Sequence, residues 1–389
     1  MSNLRIQNLE IIQKKAVNRM YQNNWIGTLE MATGVGKTFT AFKVLYKASK
    51  QISIKTVSFY AETSTREFTL KEEAEKFNRI YDLNPLEDFD FTFKCYQGKN
   101  TDECDAAIFD EIHETLTEKY QVCLNIIAKV KVGLSATIPQ NLPVYRDVDN
   151  SITKGELLQQ LCPIVFSYPL DQAIKDGILS RFETTIHKHK LDYVDRCIPA
   201  NKAGTWKTTE ANYYSWRQIE IKKPGTRTFM KGVLAKQCCK LLYNLPSKVK
   251  IVKDYLKDNK KTIIFGVELA ILEKITDNVV KGGVKDEANE VLITKFNNSD
   301  ITNIASCKKL KQGITLNGVE RCIIVAYYSK SQHMIQQLGR IVRWAEGKIG
   351  ELIIIVTEDT YEEKWIQELQ KVKDKNGNII KIINLNVKQ

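Results

Sequence analysis

The stretch Glu30–Ala41, "EMATGVGKTFTA", follows the apolar run "IGTLEM" (26–31) and leads into the helix-like "FTAFKVLYKASK" (39–50). Thr33, Gly34, Val35, Gly36, Lys37 and Thr38 therefore lie where a strand turns into a helix. In that context a glycine-rich turn is a phosphate cradle: Gly34 and Gly36 let backbone N–H groups curl around an anion, and the helix N-terminus adds positive potential. Lys37 then reaches the β- and γ-phosphates of ATP, and the Thr38 hydroxyl ligates Mg²⁺. The strict phosphate-loop pattern has a glycine where this chain has Met31. A chance GKT in an ordinary turn is the competing explanation, and the strand–loop–helix setting disfavours it.

Working outward, short apolar runs alternate with longer amphipathic segments. "TVSFYA" (56–61), "AAIFD" (106–110), "VGLSAT" (132–137), "TIIFG" (262–266), "CIIVAY" (322–327) and "LIIIVT" (352–357) are strand candidates, and "HMIQQLGRIVRW" (333–344) is a helix candidate. That alternation predicts an α/β fold with mostly parallel sheets flanked by helices. The strands fall into two groups, before about residue 140 and after about residue 260. The expected domains are residues 1–165, a linker at 166–183, and residues 184–389 carrying an aromatic and basic insert at about 200–235.

The chain has 389 residues and a formal net charge of +12, which favours polyanionic partners and excludes nothing else by itself. Nine cysteines without CxxC spacing fit buried thiols in a reducing compartment. His187 and His189, in "HKH", alternate along a strand pattern and are expected at the surface rather than as ligands. No apolar run approaches the roughly 20 residues that span a bilayer, and the N-terminus lacks a signal-peptide core. A cytoplasmic protein without membrane partners is expected, and the Lys, Asn and Ile richness suggests a bacterial cytosol or a phage-infected host cell.

Asp110 ends the apolar run "AAIFD", and Glu111 follows it. An aspartate at the carboxyl end of a buried strand is placed to hold Mg²⁺, and the neighbouring glutamate to orient or deprotonate an attacking water. A solvated acidic loop is the alternative for such a pair taken alone. His113 completes "DEIH", and no nearby His or Cys at metal-ligand spacing accompanies it.

"ATGVGKT", "DEIH" and "SAT" (135–137), in that order and followed by "QQLGRIVR", resemble the motifs of superfamily two helicases. The resemblance runs across both strand groups and is nearest to the compact DNA helicases of the restriction-subunit and UvsW-like phage group. It implies two tandem RecA-like domains facing each other across ATP and Mg²⁺. Gln336, Arg340 and Arg343 match the QxxGRxxR motif, whose arginines reach the γ-phosphate in that family. Gln13 stands where the family reads adenine, with Glu10 where an arginine is common. Thr63 and Ser64 in "AETST", and Tyr96 and Gln97 in "CYQ", match segments that touch the nucleic-acid backbone. Lys308 and Gly313 fall in a segment linking nucleotide to strand, with Gly313 near the nucleotide. The resemblance also implies that Ser135 and Thr137 couple the two activities, and that His113 bonds Gln336 and reports nucleotide state.

The insert interleaves Trp206, Tyr213, Tyr214 and Trp216 with lysines and arginines. Aromatic faces accept bases regardless of sequence, so Trp206 and Trp216 are candidate nucleic-acid contacts. Tyr213, Trp216 and Glu220 also recur at helical spacing, which would instead make a core face. The expected activity is an ATP-dependent DNA helicase or translocase of replication, recombination or repair. It would act as a monomer on single-stranded or forked DNA. An RNA helicase and a non-motor, ATP-switched nucleic-acid clamp are the alternatives.

Overall fold

The structure is a computed structural model. It describes residues 3–62, 65–145, 152–201, 203–281, 286–307, 316–326, 349–364, 366 and 380–383. These form two compact units that divide between Ser180 and Arg181.

The first unit opens with α1 (Asn3–Gln22), β1 (Ile26–Met31), α2 (Lys37–Ser49), β2 (Thr56–Ala61), α3 (Thr65–Tyr81) and α4 (Pro85–Asp88). It continues with β3 (Asp90–Cys95), β4 (Ala106–Asp110), β5 (Val130–Ser135), α5 (Lys154–Leu161), β6 (Ile164–Tyr168) and α6 (Leu170–Lys175). The six strands make one parallel sheet in the order β3-β2-β4-β5-β1-β6. Parallel strands covered on both faces read as continuous apolar runs. "AAIFD" is such a run, with Ala106 to Phe109 fully buried.

Met31 is buried as the last residue of β1, paired with Tyr168 of β6. The strand thus continues through the position where the strict motif turns. Residues 166–180, expected as linker, instead complete β6 and form α6 within this unit. Residues 181–183 begin the first strand of the second unit.

That second unit starts with β7 (Arg181–His189), the short antiparallel pair β8 (Ile198–Pro199) and β9 (Lys207–Thr208), α7 (Glu210–Lys222), α8 (Thr228–Tyr243) and α9 (Pro246–Tyr255). It continues with β10 (Thr262–Phe265), α10 (Leu269–Ile275), β11 (Val279–Val280), α11 (Asp286–Asn297), β12 (Asn303–Ser306), β13 (Arg321–Ile324), β14 (Ile349–Thr357) and β15 (Ile380–Ile383). Its seven-stranded parallel sheet runs β11-β12-β10-β13-β14-β7-β15.

The surface expectation for His187 and His189 is corrected here. β7 lies between β14 and β15, so the two alternate residues share one covered face and both are buried. His187 Nδ1 lies 3.1 Å from the Tyr255 hydroxyl, and His189 Nε2 lies 3.1 Å from Thr357 Oγ1. Burial, then the nearby Lys248 charge, pushes the His189 pKa down to about 3, so the ring is neutral.

The insert is a helical hairpin of α7 and α8. Its core joins Tyr214, Cys238, Leu241 and Leu242 to Ile198 and Leu245. The feet of the hairpin are fixed by buried charge. Glu210 accepts hydrogen bonds from the backbone N–H groups of Asp192 and Ser247. Lys248 Nζ donates to both carboxylate oxygens of Glu362, at 2.6 and 2.8 Å, and to the Leu242 carbonyl.

Candidate functional site

In open α/β sheets, ligands bind beyond the carboxyl ends of the strands. In the first unit β4, β5 and β1 are neighbours in the sheet, with Glu30 beside Ser135 and Asp110 beside Leu134. The register therefore delivers the phosphate loop, the Ser135 segment and the Asp110–Glu111 pair to one edge.

The loop between β1 and α2 needs its glycines. Gly34 (φ 93°) and Gly36 (φ 81°) are both left-handed, a conformation that costs other residues. A Cβ on Gly36 would also meet the Gln13 side chain at 2.7 Å. Gly36 caps α2, which opens at Lys37, so the first free N–H groups of that helix border the loop. Thr33 is half-buried and Val35 fully buried, which anchors the loop to the unit's interior.

Lys37 Nζ lies 3.7 Å from Glu111 Oε1, longer than a hydrogen bond. The ammonium is thus held near the acid without spending its donors on it. Glu111 is a non-glycine residue at φ 53°, an uncommon backbone state that an acid held for chemistry can occupy. Burial opposes its charge, but Lys37 and then the His113 hydrogen bond outweigh that and hold its pKa down to about 2. The carboxylate is ionised and able to orient or accept a proton from water.

Thr38 and Asp110 offer a hydroxyl and a carboxylate, the all-oxygen donor type that suits Mg²⁺. A third side chain binds both: Arg66, the second residue of α3. Its Nε donates to Asp110 Oδ2 at 2.6 Å and its Nη2 to Thr38 Oγ1 at 2.8 Å. Sequence reasoning misses Arg66, whose only cue is an arginine opening a helix directly after "AETST". Burial raises the pKa of the Asp110 carboxyl, Arg66 opposes that shift, and the adjacent Glu111 charge adds to it.

His113 is buried and engaged at both ring nitrogens. Nδ1 lies 2.9 Å from Ser135 Oγ and 3.3 Å from Glu111 Oε2, and Nε2 lies 3.4 Å from Glu114 Oε1. Burial disfavours the imidazolium, but the hydrogen bonds to Glu111 and Glu114 prevail and lift its pKa to about 9. Ser135 Oγ in turn donates to the Thr137 carbonyl at 2.9 Å. "DEIH" and "SAT" are thereby one hydrogen-bonded network. Thr137 Oγ1 is buried with no hydrogen-bond partner among the described residues.

Two expected side chains are placed differently. Tyr96 is buried in the core, where its ring stacks on Tyr60 and its hydroxyl donates to the Asp110 carbonyl at 2.8 Å. It braces Asp110, and a buried side chain cannot reach a nucleic-acid backbone; Gln97 beside it is exposed. Gln13 is buried too, donating through Nε2 to the Val35 carbonyl and accepting from Lys43 at Oε1. Both ends of its amide are used inside the protein, so it supports the phosphate loop. Thr63, Ser64, Lys308, Gly313, Gln336, Arg340 and Arg343 lie outside the described residues.

Comparison with known families meets this geometry at two places. The profile of the type III restriction enzyme res subunit matches residues 6–140, and that of the helicase conserved C-terminal domain matches residues 247–345. The chain belongs to the superfamily two helicases of the restriction-subunit type. This helicase is 22% identical over 363 residues to the DNA 3′-5′ translocase XPB2 of Sulfurisphaera tokodaii, covering 86% of its own length and 78% of that protein's. Its fold matches the DNA-bound ATP-dependent type ISP restriction-modification enzyme LlaBIII with a TM-score of 0.56 at 16% identity. That match covers 96% of the helicase but only 31% of the larger enzyme. Two tandem RecA-like domains describe the fold.

In the second unit, Trp206 and Trp216 stack on each other with ring centroids 5.4 Å apart. They remain 54% and 39% exposed, so their outer faces are open. The buried face of α7 is made by Glu210, Ala211 and Tyr214. The core face expected from Tyr213, Trp216 and Glu220 is not the one that forms. Among the described residues, no helix is long and apolar enough to cross a membrane.

Proposed function

We propose that this helicase is an ATP-dependent DNA translocase or strand-separating motor. The observation that carries this is the meeting of Lys37, Thr38, Asp110 and Glu111 at one sheet edge, with Lys37 3.7 Å from Glu111 and a single guanidinium spanning Thr38 and Asp110. A phosphate-binding lysine, a water-activating acid and a hydroxyl–carboxylate metal pair are the parts that nucleoside-triphosphate hydrolysis needs. Mg²⁺ held by Thr38 and Asp110 would neutralise phosphate charge there. Glu111, ionised and oriented by His113, would position the attacking water. Arg340 and Arg343, by the family resemblance, would contribute positive charge at the γ-phosphate.

The XPB2 relative, named as a DNA translocase, and the DNA-bound LlaBIII fold relative support DNA as the track. The exposed Trp206–Trp216 stack supports a strand-contacting hairpin, because stacking on aromatic faces is sequence-tolerant and the net charge of +12 favours a polyanion. Gln97, Thr63 and Ser64 are the proposed strand contacts of the first unit; by the family resemblance Lys308 would add a further contact and Gly313 would lie near the nucleotide. His113, Ser135 and Thr137 form the network that would pass nucleotide state to strand movement.

Strand release and single-strand translocation on 3′-tailed, 5′-tailed and forked DNA, with the matching RNA alongside, test the proposal. A DNA motor releases strand from at least one DNA substrate only while ATP is hydrolysed. Release from RNA alone, or binding without any release or translocation under turnover, would overturn it.

A further inference from the structure

Arg66 is buried, and its guanidinium lies with its centre 5.9 Å from the ring centroid of Phe59. Its hydrogen bonds fall into two groups. Nε to Asp110 at 2.6 Å and Nη2 to Thr38 Oγ1 at 2.8 Å reach across to the two side chains suited to Mg²⁺. Nη1 to Thr69 Oγ1 at 2.7 Å and Nη2 to Glu73 Oε2 at 2.9 Å stay within its own helix. The first pair of contacts uses the atoms a metal would need. The second pair gives the guanidinium somewhere to remain when the first is given up.

We propose that Arg66 is the resident counter-ion of the metal ligands, competing with a divalent cation for Thr38 Oγ1 and Asp110 and yielding them as the metal arrives with its nucleotide. This rests on the assignment of Thr38 and Asp110 as metal ligands. A threonine hydroxyl has two lone pairs and a carboxylate two oxygens, so neither atom set is sterically closed to a metal. The conflict is electrostatic. A divalent cation sits about 2.0–2.1 Å from its oxygens, which would leave it only a few ångströms from a full guanidinium charge in a site largely shielded from water.

At such separations like charges shift affinity by roughly tenfold or more. A guanidinium is not deprotonated in proteins. Arg66 therefore cannot lessen the conflict by losing its proton, and has to move. Its fallback is Glu73, already bonded to the same Nη2, so the guanidinium can turn from Asp110 towards its own helix without losing every partner. The consequence is a site that binds free divalent cation poorly and accepts it with a polyphosphate whose negative charge offsets the repulsion.

The test is a Mn²⁺ titration of the full chain, followed by electron paramagnetic resonance, without nucleotide and with a non-hydrolysable ATP analogue. Without nucleotide, Arg66→Gln should tighten Mn²⁺ binding about tenfold or more, and Arg66→Lys, which keeps the charge, should tighten it far less. Glu73→Gln, which removes the fallback, should weaken it several-fold. Melting curves give a readout independent of turnover. Arg66→Gln should melt lower than the wild type in chelator and regain most of that loss with Mn²⁺, which barely moves the wild type.

Unchanged or weaker Mn²⁺ binding in folded Arg66→Gln would overturn the proposal. If that variant does not fold, unchanged binding in Glu73→Gln does so. Asp110→Asn separates the two layers. If it leaves Mn²⁺ binding with the ATP analogue intact, the ligand assignment itself fails; if it weakens that binding while Arg66→Gln tightens nothing, only the role of Arg66 fails.

Discussion

Each unit contains a buried ionic cluster, and the two are built on opposite principles. In the second unit Lys248 and Glu362 are both fully buried and paired at 2.6 and 2.8 Å, with the remaining acceptor and donor capacity used by the Thr357 N–H and the Leu242 carbonyl. That cluster is closed. In the first unit Lys37 stands 3.7 Å from Glu111, Arg66 divides its donors between the Thr38–Asp110 pair and its own helix, and Thr137 Oγ1 has no described partner. That cluster is open to exchange. Buried charge serves anchorage when every partner is protein, and chemistry when some partners can be replaced by phosphate and metal.

The largest effect should come from the open cluster. Lys37→Ala removes the charge proposed to meet the phosphates and should lower ATP turnover by about 10²–10³-fold or more, judged by the cost of losing one positioned transition-state donor. Undiminished steady-state ATPase would break the contrast at once. Next comes the closed cluster. Glu362→Ala leaves Lys248 buried without its counter-charge and should cost about 3–5 kcal/mol of stability, whereas the joint replacement Lys248→Met with Glu362→Leu should cost less, about 1–3 kcal/mol, because it orphans only the Thr357 N–H and the Leu242 carbonyl. Urea unfolding of the two variants decides it, and equal losses would mean that the pair does more than anchor the hairpin.

His113 sharpens the same comparison through pH. Its folded pKa is raised from 6.5 to about 9, so the stability it contributes is complete below about pH 6.5 and is lost as the pH rises through 9. Ring resonances in NMR should titrate near 9, and the melting difference between wild type and His113→Ala should shrink over that window. The same variant should lose strand release more than ATPase, and equal loss of both would remove the coupling role. The smallest effect belongs to the hairpin surface. Trp206→Ala should weaken single-stranded DNA binding by about 1–3 kcal/mol per lost stacked base, measured by fluorescence anisotropy. Unchanged affinity would leave the tryptophan pair with a packing role alone.

The open cluster was largely legible in the sequence because its parts are local. The phosphate loop must have glycines at left-handed positions, the acidic pair must end an apolar strand, and β1, β2 and β4 fall on the runs quoted for them. Arg66 was not legible, since its partners Thr38 and Asp110 are distant in the chain and meet it only through sheet order. Tyr96 misled for a related reason: its motif match implies a nucleic-acid contact, but the end of β3 turns it beneath Asp110. From the sequence His187 and His189 are expected at the surface, because nothing local reveals that β14 and β15 flank β7. In the insert, helical spacing puts Tyr213 rather than Tyr214 on the candidate core face. Packing against α8 and Ile198 chose Tyr214.

The most direct test of an ATP-driven motor at this site is Glu111→Gln, assayed for ATP binding and ATP turnover in the presence of single-stranded DNA. Glutamine keeps the size and hydrogen bonding of the side chain but cannot take a proton from water. ATP should still bind with Mg²⁺ while turnover falls by at least about 10²-fold, the scale of general-base catalysis, and translocation should stop with it. Turnover and translocation at wild-type rates in that variant would contradict the assignment of Glu111 and, with it, the motor proposed here.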